Sequence, residues 1–280
     1  MKSVCYFAAI VFTGAAYAAT PITTCTTIAT SGNYFLDADL IAGAGCITVN
    51  ASNVSLALNG HSIKGPGGSI GITITPAVSG RLDHVSISGP GLIQGFQTGI
   101  TINNSDYVQV TSLTSAGNGS NGINSGGTNT FVTIASNVLS QNGIWGILAT
   151  ADNSTVSGNE LLGNGFGPGI HPAGGMRLTG VANSITSNVA SGNGKLPDNT
   201  NPLNAGIVVN TTGGRIFGNI ADGNNGNGIE VQATGSGNQL GNNKALGNLG
   251  NDLQDDSANC GTNLWGSNTF FTRNPASCVK

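Results

Sequence analysis

The stretch SNVLSQNGIWGILAT, residues 136–150, contains the features that decide the fold. Asn137 is followed five residues later by Asn142, and a Gly-apolar-x-apolar segment begins at Gly146. The apolar residues come in short pieces with period-two alternation, interrupted by Gly and Asn turns and too short for a helix. The stretch therefore predicts several short strands joined by polar turns.

Both markers recur along the chain. The asparagine pair occurs five times in phase with the glycine starts, which are spaced by 22 to 31 residues: Gly71, Gly99, Gly122, Gly146, Gly175, Gly206 and Gly228. Such a repeat is typical of a parallel β-helix, in which each coil pairs with the coils above and below it. Inward Ile and Val side chains then form one continuous core. We expect the inward asparagines to hydrogen-bond to their copies along the stack.

Three quoted segments carry a family resemblance: NYFLDADL at 33–40, ITVNASNVSLALNGHSIKGPG at 47–67 and DLQDDSANCGTNLWGSNTF at 252–270. Together with the Asn-Gly coils they resemble secreted bacterial right-handed parallel β-helix repeat proteins of the pectin-lyase-like superfamily. The resemblance implies an all-β, single-domain, right-handed solenoid, and the repeats indicate about eight or nine coils capped at both ends. It implies no single activity, because the superfamily includes lyases, hydrolases, epimerases, adhesins and maturation factors.

The chain divides into four predicted segments. Lys2, the apolar run 4–12 and the small residues around Ala18 predict a signal peptide over 1–18. An amino-terminal cap follows at 19–44, the coils at 45–251 and a carboxy-terminal cap at 252–280. Nothing later in the chain resembles a membrane-spanning helix. We therefore expect a protein that is secreted, periplasmic or at the cell surface after cleavage.

Four cysteines remain after the predicted cleavage, and three pairings are open to them. We favour Cys25 with Cys46 and Cys260 with Cys278, because each bond then closes a short terminal loop. No CxxC spacing suggests a cysteine-ligated metal. The cysteines therefore predict two disulfides in an oxidising compartment.

The composition limits the classes of partner. Charged residues make up 8% of the chain, and the formal net charge is −3. Nucleic-acid binding depends on clustered Lys and Arg, so we expect no nucleic-acid partner. The partner that we expect is carbohydrate.

One candidate site is acidic. Asp83 and Asp106 each precede a Val-x-apolar strand by two residues, so we expect them to stack on adjacent coils with His84 and Tyr107 beside them. Two close carboxylates can share a cation such as Ca²⁺, or act as acid and nucleophile on a glycosidic bond. The alternative is that both are solvated turn residues, and the sequence assigns no metal or other cofactor.

A second candidate site lies where two consecutive coils are longer than the rest. The insertions, 165–174 and 194–204, leave the helix at the same corner, and long loops often carry function. Residues predicted to contact a ligand here are Trp145, Phe166, His171, Arg177, Lys195, Asp198 and Glu230. Leu148 and Val208 share the outward position of Arg177 and Glu230. Aromatic faces beside hydrogen-bonding groups suit a sugar ring.

The leading hypothesis is an exported β-helix that engages carbohydrate at or outside the cell envelope. The sequence leaves open whether it is an enzyme. Polysaccharide lyase, hydrolase and epimerase are the classes considered, with Asp83, Asp106, His171 and Arg177 as candidate catalytic residues. The alternative is a non-catalytic rod for structure, adhesion or envelope assembly.

Overall fold

The computed structural model describes residues 19–167, 172–194 and 204–280. These residues form thirty strands and a single-turn 3₁₀ segment, Ala258–Cys260. The strands belong to three sheets, named A, B and C here, and all pairs are parallel. No helix in the described part of the chain is long and apolar enough to cross a membrane. The predicted signal peptide lies outside the described residues.

Sheets A and B have eleven strands each among the described residues. Sheet A consists of β1 (Thr20–Ile22), β3 (Gly32–Leu36), β6 (Val54–Ala57), β9 (Leu82–Ser88), β12 (Ser105–Thr111), β15 (Thr133–Ala135), β18 (Thr155–Ser157), β21 (Ser184–Thr186), β24 (Arg215–Phe217), β27 (Gln239–Gly241) and β29 (Leu264–Gly266). Sheet B consists of β2 (Thr26–Ile28), β5 (Ile47–Val49), β8 (Ile70–Ile74), β11 (Thr98–Asn103), β14 (Ile123–Gly126), β17 (Trp145–Thr150), β20 (Gly174–Val181), β23 (Ala205–Thr212), β26 (Asn227–Val231), β28 (Leu253–Asp255) and β30 (Arg273–Asn274).

Sheet C has eight strands among the described residues. They are β4 (Leu40–Ile41), β7 (Ser62–Lys64), β10 (Leu92–Gln94), β13 (Thr114–Ala116), β16 (Val138–Ser140), β19 (Glu160–Leu162), β22 (Val189–Ser191) and β25 (Ile220–Asp222). One coil runs through sheets A, C and B in that order, as β15, β16 and β17 do. The predicted all-β parallel β-helix is therefore confirmed, and the two predicted cap segments contribute β1–β4 and β28–β30 to the edges of the same sheets.

The interior of the coils is apolar between polar corners. Ile, Leu and Val side chains from all three sheets form one buried cluster along the solenoid. At the A–C corner, Asn137, Asn159, Asn188, Asn219 and Asn243 donate from Nδ2 to the next copy over 2.9–3.0 Å. At the C–B corner, Asn142, Asn164, Asn193 and Asn224 form a second ladder over 2.9–3.0 Å. The predicted asparagine ladders are confirmed.

The glycine starts and the asparagine pairs recur at a fixed spacing because each glycine packs closely against a ladder asparagine of the next coil. A β-carbon built on Gly146 would lie 2.7 Å from the carbonyl oxygen of Gly175 on the next coil and 3.0 Å from Nδ2 of Asn164. No side chain fits at that approach, so the strand that follows the ladder must start with glycine.

Both predicted disulfides are present. Cys25 pairs with Cys46 near the first coils, and Cys260 pairs with Cys278 near the last. Each bond closes a short loop, of sequence separation 21 and 18 respectively, so each end of the solenoid is covalently held.

Candidate functional site

The outer face of sheet B carries the row of side chains that the sequence placed at the insertions. The register pairs Leu148 with Arg177, Arg177 with Val208, Val208 with Glu230, and Glu230 with Gln254. Because strand residues alternate between the two faces, this row points away from the apolar interior. The predicted common outward position of these residues is confirmed.

The described ends of the two insertions lie next to this row. Gly174, at the start of β20, pairs with Ala205, at the start of β23, so the insertions end at the same level of adjacent coils. They also begin together, because the amide of Gly194 donates to the carbonyl of Asn164 over 2.7 Å. Phe166 lies here with 52% of its surface exposed. His171, Lys195 and Asp198 lie outside the described residues.

Trp145 is not presented at the surface as the sequence suggested. It is 3% exposed and forms a small cluster with Ala205 and Val208, apart from the main core. Its ring lies over Gly174, where an added β-carbon would be 2.9 Å from Cζ3. The absence of a side chain at Gly174 and the small side chain at Ala205 leave room for the indole. Trp145 therefore packs against protein and does not present its ring to a sugar.

Glu230 is the most unusual residue of the row. Its residue surface is 0% exposed, although strand alternation directs it outward. Asn227 donates from Nδ2 to Oε2 over 2.8 Å, and Oε1 has no hydrogen-bond partner within the described ranges. Burial is the main cause that raises the pKa of Glu230 to about 7, and the charge of Asp256 acts in the same direction. This carboxyl group can therefore hold or release a proton near neutral pH.

Arg177 lies two coils before Glu230 in the same row. It donates from Nη2 to Oε1 of Gln232 over 3.0 Å. Its Nε is buried and lacks a hydrogen-bond partner among the residues that the structure describes. The charge of Arg177 partly opposes the rise in the pKa of Glu230. The row thus holds a cation and a titratable acid, each with one unused polar atom.

Four residues of this cluster were missed in the sequence. Asn227, Gln232, Gln254 and Asp256 surround Glu230, and Gln254 donates to Asp256 over 2.6 Å. Three of them could have been found from the strand period, because Gln232 follows Glu230 by two residues, Gln254 occupies the position of Glu230 on the next coil, and Asp256 follows Gln254 by two. Asn227 has no such signal.

Asp83 and Asp106 pair in register on adjacent coils of sheet A, as expected. Each has its own cationic or ionisable partner, however. Arg81 donates from Nε to Oδ2 of Asp106 over 2.5 Å and from Nη2 to Oδ1, and this contact is the main cause that lowers the pKa of Asp106. Asp83 lies 2.9 Å from Nδ1 of His84. The two carboxylates are therefore engaged separately.

The four candidate catalytic residues do not form one site in the described part of the chain. Asp83 and Asp106 belong to sheet A, Arg177 belongs to sheet B, and His171 is not described. No group of three or more His, Cys, Asp or Glu in the described ranges is placed to hold a metal ion. The pair of aspartates therefore gives no support to a Ca²⁺ site.

The corner between sheets B and A carries an aromatic stack that the sequence revealed only in part. His84 and Tyr107 were expected to be neighbours, and their ring centroids lie 4.9 Å apart. Phe131 extends the stack, with its centroid 4.7 Å from that of Tyr107. Phe131 could have been found, because Val132-Thr133-Ile134 follows it as Val85-Ser86-Ile87 follows His84.

Comparisons with two solved tailspike structures agree with the coil geometry. The Dettilon tailspike protein gp208 matches 89% of this chain and 54% of its own length, at a TM-score of 0.60 and 15% identity. The enzymatically active domain of bacteriophage CBA120 tailspike protein 2 matches 91% of this chain and 42% of its own length, at 0.59 and 16%. The A-module of the Azotobacter vinelandii mannuronan C-5 epimerase AlgE4 matches 78% and 70%, at 0.48 and 16%.

This chain spans about half the length of the two tailspike structures. At these identities the similarity concerns the fold. A search of curated protein sequences finds no significant match. The sequence profile described as right handed beta helix region matches residues 70–245, which is more than half of the chain. The chain therefore belongs to the right-handed β-helix family.

Proposed function

We propose that this chain is an exported β-helix protein that binds a polysaccharide on the outer face of sheet B, around Arg177 and Glu230. The observation that carries the proposal is Glu230, a fully buried carboxyl group with a pKa of about 7 and an oxygen without a partner among the described residues. A strongly shifted ionisable group outside the core marks a functional-site candidate.

The physical reason is the free-energy cost of the arrangement. A buried polar atom without a hydrogen bond costs about 1–3 kcal/mol, and a buried charge costs more. Neither Oε1 of Glu230 nor Nε of Arg177 contributes a bond that would offset this cost within the described part of the chain. Such groups are poor stabilisers, and they are suited to a ligand that supplies the missing partners.

Carbohydrate is the ligand class that fits best. Sugar hydroxyls both donate and accept, so one sugar can satisfy a carboxyl oxygen and a guanidinium nitrogen. Phe166 contributes an exposed apolar ring at the adjoining corner. Contacts from His171, Lys195 and Asp198 remain predictions. Since Glu230 is covered in this structure, a ligand that reaches it must displace its neighbours.

Glu230 also provides chemistry for a reaction at the same place. A group that titrates near neutral pH can donate a proton in one step and accept one in another. We propose Glu230 as the acid or base of a sugar-modifying reaction, with Arg177 stabilising negative charge. Elimination and epimerisation develop negative charge that such a pair can stabilise, whereas glycoside hydrolysis uses two carboxyl groups.

Export is part of the proposal. Residues 1–18 have the sequence features of a signal peptide, and both disulfides are formed in the structure. Disulfides persist in oxidising compartments outside the cytosol. Amino-terminal sequencing of the mature protein, together with fractionation of expressing cells, tests this part.

The site is tested with a glycan array and turnover assays on polysaccharides, with and without Ca²⁺. We expect Arg177→Met to weaken binding about tenfold. Where turnover is found, we expect Glu230→Gln to lower it by about 100-fold or more. Asp222→Asn is the matched control, because Asp222 pairs with Lys244 over 2.5 Å on sheet C.

The outcomes separate the two hypotheses from the sequence. Binding without turnover would support a carbohydrate-binding protein that is not an enzyme. Absence of both would refute the proposal and favour the structural or adhesive rod. Equal loss in Asp222→Asn and Arg177→Met would show that the effect is not specific to sheet B.

A further inference from the structure

The aromatic stack at the B–A corner lies outside the core. The rings of His84 and Tyr107 are inclined by 11°, and those of Tyr107 and Phe131 by 6°. The His84 side chain is 60% exposed, and the residue exposures of Tyr107 and Phe131 are 47% and 43%. Three stacked rings on the surface form a ridge across three coils.

The local backbone does not call for aromatic residues at this position. His84, Tyr107 and Phe131 have φ angles of 54°, 51° and 54° in the left-handed region. Asn and Gly tolerate that region best, and the equivalent positions of other coils hold Asn53 at 56° and Gly213 at 66°. The three rings are therefore neither turn formers nor core residues, which points to a role at the surface.

The ridge ends in a step. After Phe131 the same position holds Asn153 and Ala182 on the next two coils, and both are exposed. The outer face of the Phe131 ring has no aromatic neighbour among the described residues. A pyranose ring has an apolar face, so it can continue the stack over these smaller residues at the spacing the rings already have.

On the sheet A side of the stack, the outward side chains are mostly polar and are uncharged. The adjoining outward rows of sheet A in these coils contain Ser86, Gln109, Thr133, Thr155, Ser88, Thr111, Ala135 and Ser157. The charged groups nearest the stack are engaged. Arg81 pairs with Asp106, and Asp83 lies 2.9 Å from Nδ1 of His84. Asp152, which precedes Asn153 at the open end of the stack, accepts from the amide of Val181 over 2.7 Å. Hydroxyl and amide groups suit the hydroxyls of a neutral sugar, and these rows, as far as the structure describes the chain, offer no free cation to an acidic sugar.

We propose that the stack His84–Tyr107–Phe131 and the adjoining outer rows of sheet A form a second carbohydrate-binding surface, which takes an uncharged oligosaccharide. One sugar ring stacks on the outer face of Phe131, and the following sugars hydrogen-bond to the Ser, Thr and Gln side chains. This surface is separate from Arg177 and Glu230, so it does not depend on the function proposed for sheet B.

An array of neutral glucose, galactose, mannose and N-acetylglucosamine oligomers, followed by calorimetry on the best binder, tests this proposal. We expect the double variant Tyr107→Asn, Phe131→Asn to bind about tenfold more weakly or worse. Asn suits the left-handed backbone, as Asn53 and Asn153 show at 56° and 52°, so the variant retains its fold. Affinity that is unchanged by added salt supports an uncharged ligand.

Two further variants assign the effect to the stack. Phe271→Ala removes an aromatic residue that is 82% exposed near the carboxy terminus, and it should leave the affinity unchanged. Asp222→Asn, which removes a carboxylate of sheet C that belongs to neither proposed surface, should also leave it unchanged. The proposal is overturned if the wild-type protein binds none of these oligomers, or if the double variant binds within twofold of it.

Discussion

Asn188 of the interior ladder and Glu230 of sheet B are both polar, and both are 0% exposed. They differ in their partners. Asn188 donates to Val156 and Asn219 over 2.9 and 3.0 Å, and its Oδ1 accepts from the amide and the side chain of Asn159. Oε2 of Glu230 accepts from Asn227, Gln232 contributes a smaller interaction that also favours the carboxylate, and Oε1 has no partner among the described residues.

The difference separates scaffold from site. Each ladder amide uses its donors and acceptors on neighbouring coils, so it fixes the register of the solenoid at little desolvation cost. Burial of Glu230 costs free energy that its hydrogen bonds do not offset, and its raised pKa reflects this cost. Buried polar groups in this fold are therefore informative about function when their hydrogen bonds are incomplete.

Removal of a ladder asparagine should have the largest effect on stability. We expect Asn188→Ala to lower the free energy of unfolding by about 4 kcal/mol, because it leaves buried partners on both neighbouring coils without hydrogen bonds. Urea denaturation measures the loss. Asn33→Ala, at an exposed position of β3, is the control and should change stability by about 0.5 kcal/mol or less. A loss below about 1 kcal/mol for Asn188→Ala would contradict the scaffold role.

Glu230→Gln should raise the free energy of unfolding, and the size of this increase should depend on pH. The unfolded glutamate ionises near 4.5, whereas the folded group stays protonated to about 7. Its contribution to stability is therefore present below pH 4.5 and is lost as the pH rises to and above 7. At pH 8 the variant should be more stable than the wild type by up to about 3 kcal/mol, and near pH 4 the two should agree.

Thermal melts between pH 4 and pH 8 measure this difference. Arg177 and Asp256 remain in both proteins, so the difference between the two sets of melts reports the ionisation of Glu230. A variant that is equally stable, or less stable, at every pH would show that Glu230 is satisfied in the native protein.

A smaller effect is expected at Asn227, the donor to Glu230. Asn227→Ala removes a hydrogen bond that favours the ionised carboxylate, so the pKa of Glu230 should rise further, by about one unit. Carboxyl chemical shifts in a pH titration report it. Asn225→Ala is the matched control, because Asn225 donates to Gly194 and not to Glu230. A fall in the pKa of Glu230 in Asn227→Ala would show that this hydrogen bond does not favour the ionised carboxylate.

The smallest effect on stability is expected at the partly exposed ion pair of Asp106 and Arg81. Asp106→Asn breaks the ion pair with Arg81, and we expect a loss of no more than about 1 kcal/mol, because solvent screens the pair. The difference in melting temperature between Asp106→Asn and the wild type should be smaller at high salt than at low salt. A loss as large as that of Asn188→Ala would mean that this corner is structural.

The sequence by itself determined the solenoid. Gly146 and Asn142 recur in phase because the glycine start of each strand approaches the neighbouring coil and the ladder too closely for a side chain. Every coil repeats this local requirement. The spacing of the repeats therefore predicts the sheets, the ladders and the outward row of Arg177 and Glu230. The disulfides followed from the short terminal loops that they close.

Only the tertiary structure decided which outward side chains are free. Strand period separates the inner face from the outer face, but it does not show what lies across the outer face. Trp145 and Glu230 are buried there, and Asp106 is held by Arg81 from the preceding coil. Such contacts join side chains that are distant in sequence and depend on the shapes of their neighbours, and no repeat encodes them.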